Sequence, residues 1–196
     1  MPEASANLRA ALRNDDWILR PAAVTFVAMN DTLEFAVRAV AVGAGATAVM
    51  DVWAAVLRRF GIPSLNFALL GRWLGHLPEG HFVHESIAKA PPVKGELLLG
   101  WCAHYSIGIA FAALLLATFG LEWARSPTPG PALFIGLVTV LAPLFILQPA
   151  LGAGIASMKT PTPVFNALKS VVTHAVYGLG LYGAAVITAA IGRVVR

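Results

Sequence analysis

The chain has 196 residues, of which 58% are hydrophobic and 12% are charged, and its formal net charge is +4. Its mean hydropathy of +0.73 lies above the range of soluble globular domains, so the composition excludes that class and predicts a membrane protein. The Lys and Arg residues flank apolar runs and form no basic stripe with interleaved aromatic residues. We therefore expect the lipid bilayer as their partner and no nucleic acid.

Residues 1–34 are predicted to be an N-terminal extension, interfacial or flexible. The apolar run within this extension, residues 17–29, is broken by Arg20 and Pro21 and is too short to cross a bilayer. Acidic and basic residues are mixed ahead of this run, which is not the pattern of a cleavable signal peptide.

Four later runs are each long and apolar enough to cross a hydrocarbon core of about 30 Å as an α-helix. They are Phe35–Leu57, Leu97–Leu121, Ala132–Leu151 and Leu168–Ile191. The predicted fold class is therefore all-α, a polytopic membrane protein with four transmembrane helices in residues 35–196. Lys and Arg are divided equally between the two sides, so the positive-inside rule gives no orientation.

The link between the first two spans is long and rich in Gly and Pro. Within it, Leu65–Leu77 has the pattern of an amphipathic helix that lies on the membrane surface. The same link contains His81, His84 and Glu85, which could ligate zinc if the segment were helical, although a solvated loop is the commoner setting for such residues. The second link, Glu122–Gly130, is short, which predicts that the second and third spans are antiparallel neighbours.

Small residues and prolines indicate how the spans pack. Gly43 and Gly45 in the first span predict a close approach of helix backbones. Pro143 lies within the third span and Pro149 at its end, where each removes a backbone donor, so we expect this helix to be interrupted.

Each span carries one conspicuous polar side chain. These are Asp51, His104, Gln148 and His174. Because the first and third links lie on the same side, the positions of all four residues place them in one leaflet, with three of them about 10 Å below the surface. Polar groups at that depth must pair with one another or line a wet cavity, and ionisable ones suggest a functional site.

This polar set is compatible with three functions. In the first, Asp51, His104, Gln148 and His174 bind or translocate a cation, a proton or a small polar solute, and a divalent metal is the cofactor that Asp51, His104 and His174 could hold. In the second, these residues only hold the helices together by interhelical hydrogen bonds, and the glycine-rich faces dock on a larger membrane complex or another copy of the chain.

The third function is an intramembrane metal or haem enzyme. Two histidines on different spans could ligate a haem, but no further haem signal is present, and Cys102 lies two residues from His104 on another side of the helix. No catalytic residue is identified, and the pattern favours a protein that is not an enzyme.

Five segments carry a resemblance to a known family. They read GATAVMDVW, GHFVHES, GWCAHYSIGIAFA, LQPALGAGIASMKTP and THAVYGLGLY. Together they resemble an uncharacterised family, a domain of unknown function, of small four-helix bacterial inner-membrane proteins. The resemblance runs from Phe35 to the C-terminus. It implies a multi-pass protein of the bacterial inner membrane and brings no activity, substrate or catalytic residue with it.

Overall fold

A computed structural model of the protein describes residues 30–194, and within this range the chain is helical without any strand. Four helices are long and apolar enough to cross a membrane. They are α1 (Asp31–Arg59), α3 (Glu96–Arg125), α4 (Pro129–Ala150) and α5 (Pro163–Val194), and a shorter helix, α2 (Phe67–His76), follows α1. The predicted all-α fold with four transmembrane helices is confirmed.

Helix α1 begins earlier than the sequence indicated. Asn30 caps it, because its side-chain oxygen accepts a hydrogen bond from the backbone N–H of Thr32 at 3.0 Å. Asp31 and Glu34 in the first turn are acidic, and their negative charges interact favourably with the positive N-terminal end of the helix dipole. The helix therefore includes residues 31–34, which the sequence pattern places in the N-terminal extension, whereas the apolar run at residues 17–29 lies outside the described residues.

The helices pack around α1, which contacts α3 on one side and α5 on the other, while α4 packs against α5. Helices α3 and α4 also touch, for example through an edge-to-face contact of Phe119 and Phe134 whose ring centroids are 6.4 Å apart. The predicted contact between the second and third spans is thus present. Val42, Leu115 and Leu181 are fully buried between helices, whereas many Leu, Val and Ile side chains are exposed on the outer faces, as in a lipid-facing bundle.

Glycines set the closest helix contacts. A Cβ added at Gly43 would lie 2.5 Å from the Cα of Ile109 on α3, and one added at Gly136 on α4 would lie 2.6 Å from the Cα of Gly178 on α5. The prediction that small residues allow close packing is therefore confirmed, and the contacts they allow lie inside this one chain.

Helix α4 is interrupted near its middle, as its prolines predict. Its α-helical part ends at Thr139, the backbone turns from Pro143 to Leu147 as a π-helix, and a last short turn spans Gln148–Ala150. Pro143 has no N–H to donate to the Thr139 carbonyl, which explains where the regular bonding stops. Such π turns widen a helix locally.

The first and third links lie at the same end of the bundle. Helix α2 packs along the start of α3, where Arg72 makes a bidentate ion pair with Glu96 at 2.8 Å for both hydrogen bonds. The backbone N–H of His84 donates to the Ala150 carbonyl at 2.9 Å, and that of Ile87 donates to the Leu151 carbonyl at 3.1 Å. The two links are therefore joined directly, as their predicted common side requires.

Candidate functional site

A cavity of about 470 Å³ lies between the four long helices at the end of the bundle that carries α2. Its walls are largely apolar and include Met50, Ile107, Phe111, Ile146 and Leu147. All four polar residues singled out in the sequence, Asp51, His104, Gln148 and His174, line this cavity. The structure therefore brings them to one space, where Asp51 and His104 pair with each other while Gln148 and His174 have partners outside the set.

Asp51 and His104 form a direct pair across α1 and α3. The Nε2 atom of His104 lies 2.9 Å from Oδ1 of Asp51, and the hydroxyl of Tyr105 donates to the other carboxylate oxygen at 3.0 Å. Both oxygens of the carboxylate are thus engaged. The ring of Phe67 lies against the imidazole with the centroids 4.5 Å apart, which holds the His104 ring in place from the α2 side.

Tyr105 is a site residue that the sequence analysis missed. Neighbouring residues on a helix point about 100° apart, so His104 and Tyr105 were not expected to reach one carboxylate. They do so because Asp51 lies between their two directions and presents one oxygen to each. A hydroxyl directly after a buried histidine was the only available signal.

His174 faces α4 instead of Asp51. Its Nδ1 atom lies 3.1 Å from the hydroxyl of Thr139, and that hydroxyl donates to the Gly136 carbonyl at 2.8 Å. Because the Thr139 hydroxyl gives its one proton to Gly136, it accepts at its contact with the imidazole, which favours the tautomer that carries the proton on Nδ1. Thr139 was also missed, because nothing in the sequence indicates how α4 is rotated against α5.

Gln148 is held by α5. Its amide nitrogen donates to the hydroxyl of Ser170 at 3.1 Å, and Ser170 in turn donates to the Asn166 carbonyl at 3.0 Å. The amide oxygen of Gln148 is buried and has no hydrogen-bond partner among the described residues. An unpaired buried acceptor is costly and uncommon, so the amide of Gln148 is only partly satisfied at this point of the bundle.

The predicted metal ligands are not gathered into a ligand set. Among residues 30–194, no group of three His, Cys, Asp or Glu side chains is placed to hold a metal ion. Asp51 pairs with His104 and Tyr105, whereas His174 is turned towards Thr139, so the three predicted ligands do not converge on one point.

Zinc ligation by the second predicted metal set, His81, His84 and Glu85, was conditional on a helical segment. The segment is not helical, so the spacing does not put its side chains on one face, and His81 and Glu85 are exposed. His84 instead contacts His76 at the end of α2, with 2.9 Å between Nε2 of His84 and Nδ1 of His76. His76 is buried and was not recognised from the sequence.

The segment between α1 and α2 closes one side of the cavity. The amine of Lys169 donates to the Pro63 carbonyl at 2.7 Å, and Arg58 donates to the hydroxyl of Ser64 at 2.7 Å. A second cavity of about 400 Å³, partly lined by Trp101, shares five lining residues with the first. The shared residues are Asp51, Pro63, Ser64, Leu65 and Phe67. Asp51 thus lies where the two cavities meet.

Comparison with known proteins gives a family and no function. No curated protein and no solved structure matched the chain. A family model described as "Protein of unknown function (DUF2938)" matches residues 40–188, which include every residue that lines the main cavity. With most of its length covered by this match, the chain belongs to the DUF2938 family.

Proposed function

We propose that this protein binds a small solute within the bilayer, as a binding or translocating module, and that it is a multi-pass protein of the bacterial inner membrane. The observation that carries the proposal is the cavity of about 470 Å³ to which all four transmembrane helices contribute. Cavities of this size, with apolar walls and a few convergent polar groups, are the usual setting of small-molecule sites.

The pair of Asp51 and His104 is the proposed proton-exchanging group of the site. An imidazole can both take and give a proton, and the adjacent carboxylate compensates the positive charge of the protonated ring within the membrane. Tyr105 keeps the second oxygen of that carboxylate occupied. Movement of a solute through the cavity could therefore be coupled to protonation of His104.

A bare cation fits this geometry less well. At Asp51 it would share the carboxylate with His104 and Tyr105, and the surrounding walls are largely apolar. A divalent metal at Asp51 is disfavoured because, among residues 30–194, no group of three His, Cys, Asp or Glu side chains is placed to hold one. An uncharged solute makes no such demand, since it can use the polar atoms of Gln148 and His174 on the opposite wall.

The second cavity supplies the proposed route. It is lined by Arg58 and Asn66 near the link and meets the main cavity at Asp51 and Phe67. A solute that enters beside Arg58 would pass Phe67 before reaching the interior. The hydrogen bond from Lys169 to Pro63 would have to open or shift to widen this passage.

The alternative of an accessory subunit has less support. Its rationale was that glycine-rich faces dock on a larger complex, yet Gly43 and Gly136 pack against helices of the same chain. The exposed apolar faces that remain are equally suited to lipid. An intramembrane metal or haem enzyme is not favoured either, because the candidate ligands do not converge.

The test is to identify what the purified protein carries. The wild type, Ala142→Phe and Ala110→Phe are purified in lipid nanodiscs and their bound molecules are extracted and measured by mass spectrometry. Ala142 lines the cavity and the added ring fills it, whereas Ala110 is exposed on the outer face of α3 and serves as the matched control.

We expect one small molecule in stoichiometric amount with the wild type and Ala110→Phe, and its loss from Ala142→Phe. If the wild type carries only bulk lipid, or if Ala142→Phe retains the same molecule in full, the proposal is wrong.

A further inference from the structure

Positive charge is concentrated at the end of the bundle that carries α2. The first and third links and the helix ends that adjoin them contain seven basic residues but only three acidic ones, Glu79, Glu85 and Glu96, which leaves an excess of four positive charges. The seven basic residues are Arg58, Arg59, Arg72, Lys89, Lys94, Lys159 and Lys169.

The opposite end of the bundle is nearly balanced in charge. Among the described residues, three arginines and three carboxylates lie there: Arg38, Arg125, Arg193, Asp31, Glu34 and Glu122. Arg125 pairs with all three of these carboxylates at 2.6 to 3.3 Å, and Arg38 pairs with Glu34 at 2.8 Å. Residues 1–29 contain three arginines and three acidic residues, and residues 195–196 add one arginine. The equal numbers of Lys and Arg at the two ends therefore conceal a difference in net charge.

Most of the basic side chains at the α2 end are free to meet a partner. Arg72 is paired with Glu96, and Lys169 donates to the Pro63 carbonyl. The other five are exposed, and within residues 30–194 none of them makes an ion pair. Their charge is therefore not compensated by the part of the chain that the structure describes.

Exposed apolar side chains lie among these basic ones. Phe60 directly follows Arg59 at the end of α1, and Met158 directly precedes Lys159. Val164 lies in the first turn of α5, and all three apolar side chains are at least 74% exposed. Because these positions adjoin transmembrane helices, they lie at the depth of the lipid head groups. A mixed surface fits that layer, since its apolar side chains enter the acyl boundary while its basic ones reach the phosphates.

We propose that the α2 end of the bundle faces the cytoplasm and that its exposed basic side chains bind the anionic phospholipid head groups of that leaflet. Cytoplasmic loops are enriched in Lys and Arg, and the cytoplasmic leaflet carries a negative surface potential. The helix ends at Asp31 and Val194 then face the periplasm. This inference takes from the proposed function only the location in the bacterial inner membrane and does not depend on what the cavity binds.

The first arm of the experiment measures which end faces the cytoplasm. Single cysteines replace Thr162 in the third link and Ser126 in the second link, two exposed hydroxyl residues at opposite ends, after Cys102→Ser has removed the native thiol. Bacterial cells that express each variant are treated with a sulfonated, membrane-impermeant maleimide before and after the inner membrane is permeabilised.

We expect Ser126→Cys to be labelled in intact cells and Thr162→Cys only after permeabilisation. Any other pattern overturns the proposed orientation. Fractionation of the same cells checks the location in the inner membrane separately, so an error in the location is distinguished from an error in the orientation.

The second arm measures the lipid preference of the purified chain. The wild type, the triple variant Arg59→Gln/Lys94→Gln/Lys159→Gln and the variant Arg193→Gln are placed in nanodiscs of phosphatidylcholine, with or without phosphatidylglycerol, and the midpoint of thermal unfolding is measured. Arg193 is exposed at the opposite end and is the control for the loss of a positive charge there.

For the wild type and Arg193→Gln, phosphatidylglycerol should raise the midpoint by roughly 2 °C or more, the shift expected if even one basic side chain gains a lipid contact. The triple variant should lose most of this rise. Equal midpoints of the wild type in the two lipids, or a rise that persists in the triple variant, overturns the lipid assignment and leaves an acidic soluble protein as the occupant of the surface. Neither arm uses a cavity ligand, so failure of either one leaves the cavity proposal standing.

Discussion

The imidazole of His104 on α3 lies 2.9 Å from the carboxylate of Asp51 on α1, which joins two transmembrane helices at the wall of the main cavity. The pair is partly buried, and Tyr105 completes the set of donors around the carboxylate. Replacing either partner would therefore remove a hydrogen bond from the other inside the bundle.

The strength of this pair can be measured. Replacing one partner, as in His104→Ala, should lower the free energy of unfolding by about 1–3 kcal/mol, because the carboxylate loses a hydrogen bond in a partly buried place. A double-mutant cycle with Asp51→Asn should then show coupling of more than about 0.5 kcal/mol. Ser106→Ala, at an exposed position on the same helix, is the control and should change little. Additive effects of the two substitutions would mean that the pair contributes nothing.

Close packing at Gly43 predicts that an added side chain there lowers the stability of the protein, whereas one added at an open glycine does not. Gly43→Ala should destabilise the protein by about 1–3 kcal/mol, since the new Cβ would lie 2.5 Å from the backbone of Ile109 and the helices would have to separate. The matched substitution Gly183→Ala on α5 meets no atom within 4 Å and should be neutral or slightly stabilising, because Ala favours a helix over Gly. Chemical or thermal unfolding of both variants provides the comparison. Equal effects at the two sites would contradict the packing described for α1 and α3.

A charged cluster at the opposite end of the bundle ties α1 to α3. Glu34 is buried and accepts hydrogen bonds from Arg38 at 2.8 Å and from Arg125 at 2.6 Å. Glu34→Ala should therefore cost about 1–3 kcal/mol of stability, since two arginines lose their shared partner. Glu122 also pairs with Arg125 but is exposed, so Glu122→Ala should change stability by less than about 0.5 kcal/mol. If Glu122→Ala lowered the free energy of unfolding as much as Glu34→Ala, the buried position of Glu34 would not explain the stability that the cluster provides.

Metal removal should leave the fold unchanged. Of the candidate ligands, Asp51 and His104 pair with each other, His174 pairs with Thr139, and His81 is exposed in the first link. Dialysis against EDTA is therefore expected to leave the midpoint of thermal unfolding where it was, in the wild type and in His81→Ala alike. A clear fall in the midpoint of the wild type, restored by added zinc, would show that a metal site had been overlooked.

The fold was predictable because transmembrane helices are recognised by the length and apolarity of a sequence segment. Recognising them requires no knowledge of tertiary contacts. Residues such as Asp51 and His174 could also be placed at one depth by counting from the links, and both line the main cavity. The helix ends were less accurate. Caps such as Asn30 extend a helix beyond its apolar run, and the apolar run alone does not show them.

The partners of each polar residue could not be predicted, because they depend on how every helix is rotated and on where its backbone departs from regular geometry. Thr139 binds His174 because α4 and α5 approach at Gly136 and Gly178. His76 meets His84 because the first link folds back on α2. Both are tertiary relationships between segments whose local sequence is compatible with many arrangements.

The central claim, that a solute can reach the interior of the bundle, is tested most directly by thiol labelling in lipid nanodiscs. Single cysteines are placed at Ala142, which lines the cavity, and at Ala185, which is fully buried in the core of α5, after Cys102→Ser has removed the native thiol. The reagent is methyl methanethiosulfonate, which is small and uncharged, and mass spectrometry follows the modification. We predict that the thiol of Ala142→Cys reacts many times faster than that of Ala185→Cys, whereas equally slow reaction of both would contradict an accessible cavity.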